Sequence, residues 1–372
     1  MANKNLTNAR RVKNDEFYTQ YSDIQKEIEA YLEYNHDVFR GKVVYCNCDD
    51  PFESNFFCYF VLNFNKLGIK QLITTSYKPS PVANTKLGLF GDDKTLTKSK
   101  GRPKITANKF IINEVRDIDG DGEFNLKDVA KQLKENKHNE WTPLEGDGDF
   151  RSDECVGLLK QSDIVVTNPP FSLFREYLKQ LMEYKKKFVI IGSMNALKYA
   201  NIFPLIKDNK IWLGVSNGAK TYIKPDKTEQ KMGNTCWFTN LDHGRRHQPL
   251  SLMTKAEVIK FITKKPFPKY DNYDAIEVSQ VKNIPSDYKG AIGVPISFLD
   301  KYNPEQFEII GLGQGNLYRE LTPRGLNKEF VNNYYKNGGT GSISEDHPIL
   351  GYYEDGKATI PYMRIIIKHK KK

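Results

Sequence analysis

A buried strand that runs directly into an Asn-Pro-Pro-Phe tetrapeptide is the part of the sequence whose residue types and spacing could do chemistry. Residues 163–167 have the pattern of a strand, and they are followed at once by Asn168, Pro169, Pro170 and Phe171. Two successive prolines fix the backbone and remove two N–H donors, which leaves carbonyl oxygens beside the Asn168 side chain. The tetrapeptide therefore predicts a site that accepts hydrogen bonds from an amine.

An exocyclic amine on a nucleobase, such as N6 of adenine, is a poor nucleophile because its lone pair is delocalised into the ring. The Asn168 side-chain oxygen and the Pro169 carbonyl oxygen would accept hydrogen bonds from this amine and direct its lone pair toward a methyl donor, while Phe171 would stack on the base. These residues predict direct displacement at a sulfonium methyl group, without a covalent enzyme intermediate and without a metal. The alternative is that Asn-Pro-Pro forms only a turn after the strand.

Alternating strand and helix patterns surround the tetrapeptide. Short apolar strands are predicted at residues 42–46, 70–75, 163–167 and 188–191, and helices at 22–34, 55–64 and 173–184. Such alternation predicts an α/β fold with a parallel sheet, in which ligands bind at the carboxyl ends of the strands. Two further strands, at 210–215 and 235–239, are expected to form an antiparallel hairpin that closes the sheet.

Composition divides the chain of 372 residues into two expected domains. Residues 1–245 form the expected catalytic domain, which a polar, Lys-rich insertion interrupts from about 77 to 145. The insertion is far longer than an ordinary connection, so it predicts an inserted subdomain. Residues 246–372 are rich in Tyr, Asn, Pro and Gly without a long helix pattern, which predicts a smaller, irregular region that recognises the target. The last residues, 368–372, are expected to be a disordered basic tail.

The charge balance favours a polyanionic partner. Lys and Arg number 56 against 46 Asp and Glu, which gives a formal net charge of +10, so nucleic acid is the first partner to consider. No apolar run approaches the roughly 20 residues that a membrane span needs, and the N-terminus lacks the apolar core of a signal peptide. We therefore expect a cytoplasmic protein without a membrane partner, and five reduced cysteines that form neither a disulfide framework nor a zinc site.

An acidic loop at residues 117–128 follows the calcium-binding pattern of EF-hands. Oxygen ligands stand at its first, third, fifth, ninth and last positions and a glycine at the sixth; the ligands are Asp117, Asp119, Asp121, Asn125 and Asp128. The loop ends in Asp rather than Glu, whose longer side chain chelates more readily. Two interpretations stay open, a structural Ca²⁺ site and an acidic turn that caps the following helix.

Basic residues in three stretches are predicted to contact DNA. They are Arg10, Arg11 and Lys13 in a polar N-terminal arm, Lys100 and Arg102 in a segment similar to the core of minor-groove AT-hooks, and Arg245 and Arg246 after the last predicted sheet strand. For the insertion, a solvated Lys-rich loop is the alternative. For the two later arginines, the alternative is pairing with acidic residues at the domain junction.

The sequence resembles the amino-methyltransferases that carry an Asn/Asp-Pro-Pro-aromatic motif, and more closely the EcoRI-type adenine-specific DNA methyltransferases. The matching stretches are residues 15–20, 43–51, 54–57, 146–152, 162–174, 210–215, 270–275 and 303–307. They are spread along most of the chain, the insertion excepted. The resemblance implies a Rossmann-like sheet that binds S-adenosyl-L-methionine.

The resemblance also implies roles for residues outside the tetrapeptide. Phe17, Tyr18 and Thr19 match the motif that closes over the methionine end of the cofactor, and Cys46 begins the loop in which Asp49 or Asp50 would meet it. Asp149 would accept from the adenine amine of the cofactor while Phe150 packs on its ring. Each group has a structural alternative. Phe17, Tyr18 and Thr19 could be an aromatic helix start, Asp49 and Asp50 a helix cap, and Asp149 and Phe150 a turn from an acidic loop. The loop after Cys46 lacks the usual glycines, and no acidic residue follows the second strand, so the ribose contact is unassigned.

The implied function is site-specific N6 methylation of adenine in duplex DNA, with the target base flipped out of the helix. A restriction endonuclease that acts on the same site is a possible partner, and the chain is expected to act as a monomer. The alternatives are methylation of an RNA base or of a glutamine amide, which use the same tetrapeptide, and a non-catalytic DNA- or calcium-binding protein. The intact tetrapeptide favours catalysis.

Overall fold

The computed structural model of the chain describes residues 18–48, 54–77, 107–118, 120, 125–135, 138–224, 228–321 and 324–370. These residues form two compact units. The first contains the chain up to Ala196 together with Leu213–His243, and the second contains Leu197–Trp212 together with the chain from Gly244 onward. Residues 197–212, which the expected limits of 1–245 and 246–372 assign to the catalytic domain, group with the second unit, and the division into a catalytic and a target-recognition domain stays a prediction.

A mixed sheet organises the first unit, and the predicted α/β fold is confirmed. Its strands are β1 (Val43–Cys46), β2 (Gln71–Thr75), β3 (Asn108–Ile112), β4 (Glu140–Pro143), β5 (Ile164–Thr167), β6 (Lys187–Ser193), β7 (Trp212–Leu213), β8 (Gly218–Ile223) and β9 (Glu229–Thr239). Among the described residues their order is β4-β3-β2-β1-β5-β6-β9-β7, with β8 paired to β9. Strands β2, β1, β5 and β6 are mutually parallel. Every residue of β1 and β5 is buried, as expected of parallel strands that are covered on both faces.

Helices cover this sheet at the three places where the apolar pattern predicts them and after the acidic loop, and one further helix, Asp153–Gln161, was not predicted. They are α1 (Tyr21–Tyr34), α2 (Asn55–Leu62), α3 (Phe64–Leu67), α4 (Leu126–Glu135), α5 (Asp153–Gln161) and α6 (Phe174–Glu183). Helix α2 begins where the Ser54 hydroxyl accepts from the Phe56 and Phe57 N–H groups, at 3.1 and 3.3 Å. Its aromatic residues enter one core with the inner faces of α1 and the sheet. Among the described helices, none combines the length and apolar composition needed to cross a membrane.

The described part of the predicted insertion continues the sheet. Strand β3 pairs antiparallel with β2, and β4 pairs antiparallel with β3. Helix α4 buries Val129, Ala130 and Leu133 in the same core as Phe110 of β3. These residues therefore share the core of the catalytic sheet, while residues 78–106 lie outside the described residues.

The predicted closing hairpin has a different second strand. Strand β7 lies beside β9, as predicted, but it covers only Trp212–Leu213. The hairpin partner of β9 is β8, which pairs with it antiparallel from Gly218↔Thr235 to Ile223↔Glu229. Lys, Thr and Gly residues weaken the apolar pattern of β8, so periodicity alone did not reveal it.

The second unit is more regular than its composition predicts. It contains β10 (Ala275–Glu277), β11 (Ala291–Pro295), β12 (Phe307–Leu312) and β15 (Arg364–His369) in a four-stranded sheet of order β10-β11-β15-β12. Around it lie α7 (Phe203–Lys207), α8 (Lys255–Val258), α9 (Lys328–Lys336), β13 (Tyr352–Glu354) and β14 (Lys357–Thr359). Residues Lys368 and His369 belong to β15, so the prediction of a disordered tail is wrong for them. The backbone pairing with β12 and a 2.9 Å bond between the His369 ring and the Pro285 carbonyl explain the order.

A buried carboxylate ties α1 to the segment between β7 and β8. Glu27 of α1 is fully buried. It accepts hydrogen bonds from the Tyr31 hydroxyl at 2.8 Å, from the Val215 N–H at 2.9 Å, and from the N–H and hydroxyl of Ser216 at 2.6 and 2.8 Å. A Cβ atom at Gly214 would lie 2.0 Å from the Glu27 carboxylate, so only glycine fits there. The carboxylate thereby satisfies a set of buried donors that no solvent can reach.

Replacing Glu27 with Ala should lower the free energy of unfolding by about 3 kcal/mol, because buried donors lose their acceptor and a cavity forms. The matched control is Glu33→Ala on the exposed face of the same helix, which should change it by less than about 0.5 kcal/mol. Urea unfolding followed by tryptophan fluorescence measures both. Equal stability of the two variants would show that the Glu27 contacts contribute little.

Candidate active site

The candidate active site lies at the edge where the winding of the sheet reverses. The chain passes from β1 to β2 on one side and later returns to β5 on the other side of β1. In open α/β sheets this switch point opens a crevice at the carboxyl ends of the strands, where ligands bind. Asn47 follows β1 at this edge, and the Asn-Pro-Pro-Phe tetrapeptide follows β5. The sequence prediction that the tetrapeptide lies at a ligand-binding edge is therefore supported by the topology.

Asn47 connects the elements that meet at the switch point. Its backbone carbonyl accepts from the Thr167 hydroxyl at the end of β5, and its side-chain oxygen accepts from the Tyr177 hydroxyl of α6. All three residues are buried. Burial raises the pKa of Tyr177 well above its usual value, so the phenol stays protonated and remains a donor. The end of β1 is thereby fixed against β5 and α6.

A tight turn brings Asp149 and Phe150 to the same edge. Gly148 has φ +80°, and a Cβ atom there would lie 2.0 Å from the Ser76 carbonyl at the end of β2. Only glycine allows this close approach. The Phe150 carbonyl accepts from Gln180 at 3.1 Å, and its ring meets the Tyr177 ring edge-on at 5.0 Å. Phe150 therefore packs against Tyr177, the same side chain of α6 that donates to Asn47.

Asp149 is held as an ionised acceptor. One carboxylate oxygen accepts from the Arg151 N–H and Nε at 2.9 Å each, and the other accepts from Nη2 at 2.7 Å. These hydrogen bonds from Arg151 hold the pKa of Asp149 below its usual range, although partial burial acts in the opposite direction. A carboxylate has about four lone-pair sites, so one remains for a ligand. Arg151 also contacts Glu176 of α6 at 3.0 Å, which fixes its position.

The two proline carbonyls of the tetrapeptide differ in their hydrogen bonding. The Pro170 carbonyl accepts from the Leu173 N–H at 2.9 Å in a single 3₁₀ turn, Phe171–Leu173, that leads into α6. Within the described residues, no backbone N–H donates to the Pro169 carbonyl. Asn168 and Phe171 are half-buried, and Phe171 packs against the main core. This arrangement favours Pro169, as the sequence predicts, as the backbone acceptor for an amine.

Tyr18 and Thr19, the first described residues, form hydrogen bonds with elements on both sides of this edge. The Tyr18 N–H donates to the Ile223 carbonyl of β8 at 2.8 Å, and the Ile223 N–H donates back at 3.1 Å. Asn55, in the first turn of α2, donates to the Thr19 carbonyl at 2.7 Å. The pair therefore spans from β8 to the helix that follows the predicted cofactor loop, and Cys46 ends β1 at the base of that loop.

Several predicted site residues lie outside the described residues. They are Arg10, Arg11, Lys13, Phe17, Asp49, Asp50, Lys100, Arg102, Asp119 and Asp121. Asn47, Thr167 and Tyr177 were missed by sequence reasoning. Asn47 and Thr167 had a usable signal, since each is a polar residue at the carboxyl end of a buried strand. Tyr177 reads only as one more aromatic on an amphipathic helix.

The described part of the calcium-like loop uses its carboxylates within the loop. The buried Asp128 carboxylate accepts from the Ile118 N–H at 3.1 Å and from the Asn125 N–H at 3.0 Å. Asp117 accepts from the Gly120 N–H at 2.7 Å. Across the ranges that the structure describes, no cluster of three or more His, Cys, Asp or Glu residues could hold a metal. These contacts favour the alternative of an acidic turn at the start of α4.

The two arginines near the unit boundary make contacts inside the second unit. Arg246 is buried, its guanidinium lies 3.6 Å from the centre of the Trp212 ring, and it donates to Asn209 at 2.6 Å. Arg245 forms an ion pair with Asp300 at 2.5 Å. For Arg245 this placement favours the open alternative of pairing with an acidic residue, whereas the printed partners of the buried Arg246 are an aromatic ring and an amide.

Comparisons with known proteins agree on one family. The family model described as adenine-specific methyltransferase EcoRI matches residues 5–370. The chain is 43% identical over 340 residues to the type II methyltransferase M.EcoRI of Escherichia coli, covering 87% of this chain and 93% of the relative. It is 37% identical over 320 residues to the type II methyltransferase M.MpnI of Mycoplasma pneumoniae, covering 81% and 83%. No solved structure matches the chain.

Replacing Tyr177 with Phe should lower the affinity for S-adenosylmethionine by about tenfold, because the Asn47 side chain at the switch point loses its donor while the ring against Phe150 is kept. Calorimetric titration of the cofactor measures the effect. The control is Tyr184→Phe, at the end of the same helix, which should bind as the wild type does. Unchanged affinity in the Tyr177 variant would show that the hydrogen bond from Tyr177 to Asn47 does not contribute to cofactor binding.

Proposed function

Because the chain belongs to the EcoRI family of adenine-specific methyltransferases, and is therefore a DNA adenine methyltransferase, we propose that Asn168 and Pro169 hold the N6 amine of a flipped adenine for methyl transfer. The observation that carries this assignment is the position of the tetrapeptide, directly after β5 and beside the end of β1 at the switch point of the sheet. Duplex DNA is the proposed form of the substrate, because the basic chain suits a polyanion.

The residues at the edge fit S-adenosylmethionine, the cofactor of this family. When bound, the cofactor supplies a methyl group on a positively charged sulfur. The ionised Asp149 would accept from its adenine amine, and Phe150 would pack on the adenine ring. Gly148 supports this fit, because its close approach to Ser76 holds both residues against the sheet edge. Tyr18 and Thr19 would close over the methionine end, and Cys46 with Asp49 or Asp50 would form the loop beneath it.

The chain's own residues would act on the amine. The Asn168 side-chain oxygen and the Pro169 carbonyl each accept a hydrogen bond from one N–H of the amine. These two bonds localise the nitrogen lone pair toward the methyl group. As the nitrogen gains the methyl group it becomes positively charged, and these oxygens stabilise that charge until one proton leaves for solvent. Phe171 stacks on the base, which must leave the duplex because N6 of a stacked adenine cannot reach an edge of this kind.

Further properties expected from the sequence remain predictions. These are a restriction endonuclease that cleaves the same site, a monomeric state, a cytoplasmic location and a structural Ca²⁺ ion in the loop 117–128. The name type II methyltransferase, which the relatives carry, supports a modification role within a restriction-modification system. The contacts of Asp128 with backbone N–H groups argue for a loop that is ordered by its own hydrogen bonds.

The central experiment measures tritium transfer from labelled S-adenosylmethionine to duplex DNA, single-stranded DNA and RNA, with nucleoside analysis. We expect label in N6-methyladenine from duplex DNA. Asn168→Ala should abolish transfer while cofactor affinity stays within about twofold, and Asn168→Asp, which keeps an acceptor oxygen, should retain part of the activity. Label only in RNA or protein would replace the DNA proposal, and N6-methyladenine formation by Asn168→Ala would refute the role of Asn168.

Arg151 should set the pH range of cofactor binding. A carboxyl group with a lowered pKa keeps its ionised form, and the contact it makes, until the pH falls below that lowered value. In Arg151→Met the hydrogen bonds that lower the pKa of Asp149 are gone, and burial raises the pKa instead. Between pH 7 and about pH 4.5, cofactor affinity should fall several-fold in this variant and little in the wild type.

The control for this experiment is Lys179→Met on the exposed face of α6, which removes a positive charge that Asp149 does not contact. It should follow the wild-type pH dependence. Calorimetric titration at the two pH values provides the measurement. Parallel curves for Arg151→Met and the wild type would show that the ionised Asp149 is not the acceptor for the cofactor.

A further inference from the structure

The strand next to the catalytic tetrapeptide ends in a small polar cluster. Strand β6 pairs in parallel with β5 up to Thr167↔Ile190, so Ser193 follows three residues later on the carboxyl side of the pairing. Strand β9 pairs antiparallel with β6 at Ser193↔Thr235, which places Asn234 beside Ser193 at the same edge. Ser193 is half-buried and Asn234 is exposed. Neither residue belongs to the tetrapeptide or to the predicted cofactor residues.

The geometry of methyl transfer assigns this side of the edge to the base. The predicted cofactor residues lie at the ends of β1 and β2, on one side of β5. In a direct displacement, the attacking nitrogen approaches the methyl group from the side opposite to the sulfur. The adenine ring must therefore extend from the tetrapeptide away from β1, toward the ends of β6 and β9. Ser193 and Asn234 are polar side chains that the base meets there.

Hydrogen bonds fix the role that Ser193 can take. Its Oγ accepts from the Asn195 N–H at 3.2 Å and lies 3.5 Å from the Asn234 amide nitrogen, which can donate to it. With these two acceptor positions used among the described residues, the O–H of Ser193 is the group that remains to donate. The bond from Asn195 also caps the short 3₁₀ helix Met194–Lys198, which holds the Ser193 side chain in one orientation.

The end of β6 is also held close to the start of the helix that follows the tetrapeptide. A Cβ atom at Gly192 would lie 2.5 Å from the Phe174 ring, so glycine is needed for this approach. Phe174 is the first residue of α6 and packs against Phe238 of β9 at 4.9 Å between ring centres. Ser193 therefore has a fixed position relative to the tetrapeptide rather than a place on a loose loop.

We propose that Ser193 donates a hydrogen bond to N1 of the flipped adenine and so selects the base. N1 is the ring nitrogen next to the carbon that carries N6, and in adenine it is an acceptor. Guanine carries an N1–H donor at this position, which would face the Ser193 donor and leave both groups unpaired. This inference rests on the proposed function, since it takes the N6 amine to be bound at Asn168 and Pro169.

A cycle with a modified base tests the contact. The duplex site that the wild type methylates is first mapped, and 1-deazaadenine, in which N1 is replaced by C–H, is then placed at the target position. For the wild type, kcat/KM should be about tenfold lower on 1-deazaadenine than on adenine. For Ser193→Ala, kcat/KM on adenine should be about tenfold below the wild-type value. Replacing adenine with 1-deazaadenine should not lower this value further through the loss of N1. Effects of deaza substitution on pairing and on the amine are common to both proteins and cancel in the comparison.

Ser193→Thr is the matched variant, because it retains the hydroxyl and should retain the penalty for 1-deazaadenine. Cofactor affinity should be unchanged in both variants. If Ser193→Ala and the wild type show equal penalties for 1-deazaadenine, or if the wild type shows none, Ser193 only caps the 3₁₀ helix and the proposal is overturned. Failure of the proposed function gives a different result, the absence of N6-methyladenine from wild-type reactions on ordinary duplexes.

Discussion

The geometry of the active site depends on the two hydrogen bonds that Asn47 accepts. One comes from Thr167, the last residue of β5, and the other from Tyr177 of α6. The bond from Thr167 fixes the end of β1 relative to the tetrapeptide. The bond from Tyr177 fixes it relative to α6, the helix that follows the tetrapeptide. A ligand that bridges the switch point needs both sides in register within a fraction of an ångström, because methyl transfer tolerates little error in the distance between nitrogen and carbon.

The same helix also controls the charge at the cofactor side of the edge. Tyr177 packs on Phe150, and Glu176, one residue earlier, pairs with the arginine that holds Asp149. Burial and hydrogen bonding act in opposite directions on these groups: burial keeps the Tyr177 phenol neutral, while Arg151 keeps the Asp149 carboxyl ionised. Helix α6 thus supplies the neutral donor Tyr177 and, through Glu176 and Arg151, helps to orient the Asp149 anion, and it begins one 3₁₀ turn after the tetrapeptide.

The sequence predicts what depends on local pattern and misses what depends on distant pairing. Strands β1, β5 and β6 contain short apolar runs and β2 is a β-branched segment around Leu72 and Ile73, so their places and the position of the tetrapeptide follow from local pattern. Strand β8 contains the buried Lys220, which pairs at 3.4 Å with Asp23, 197 residues earlier, and no local pattern reveals such a partner. The same limit applies to Arg246, because its predicted contact with DNA rests on its charge, and no local pattern reveals that it packs on the Trp212 ring and donates to Asn209.

The proposed contacts on the two sides of the tetrapeptide have opposite hydrogen-bonding roles, and together they would define a base. Asn168 and Pro169 would offer acceptors to an exocyclic amine, and Ser193 would offer a donor to the neighbouring ring nitrogen. Adenine presents a donor followed by an acceptor and matches both positions, whereas guanine presents its O6 acceptor and N1–H donor and opposes both. Cytosine presents the same order as adenine, so hydrogen bonding at these two positions does not exclude it. Two differences between these bases remain: the larger ring surface of a purine, which the proposed stacking on Phe171 would favour, and the O2 carbonyl that cytosine carries next to N3 where adenine has C2–H.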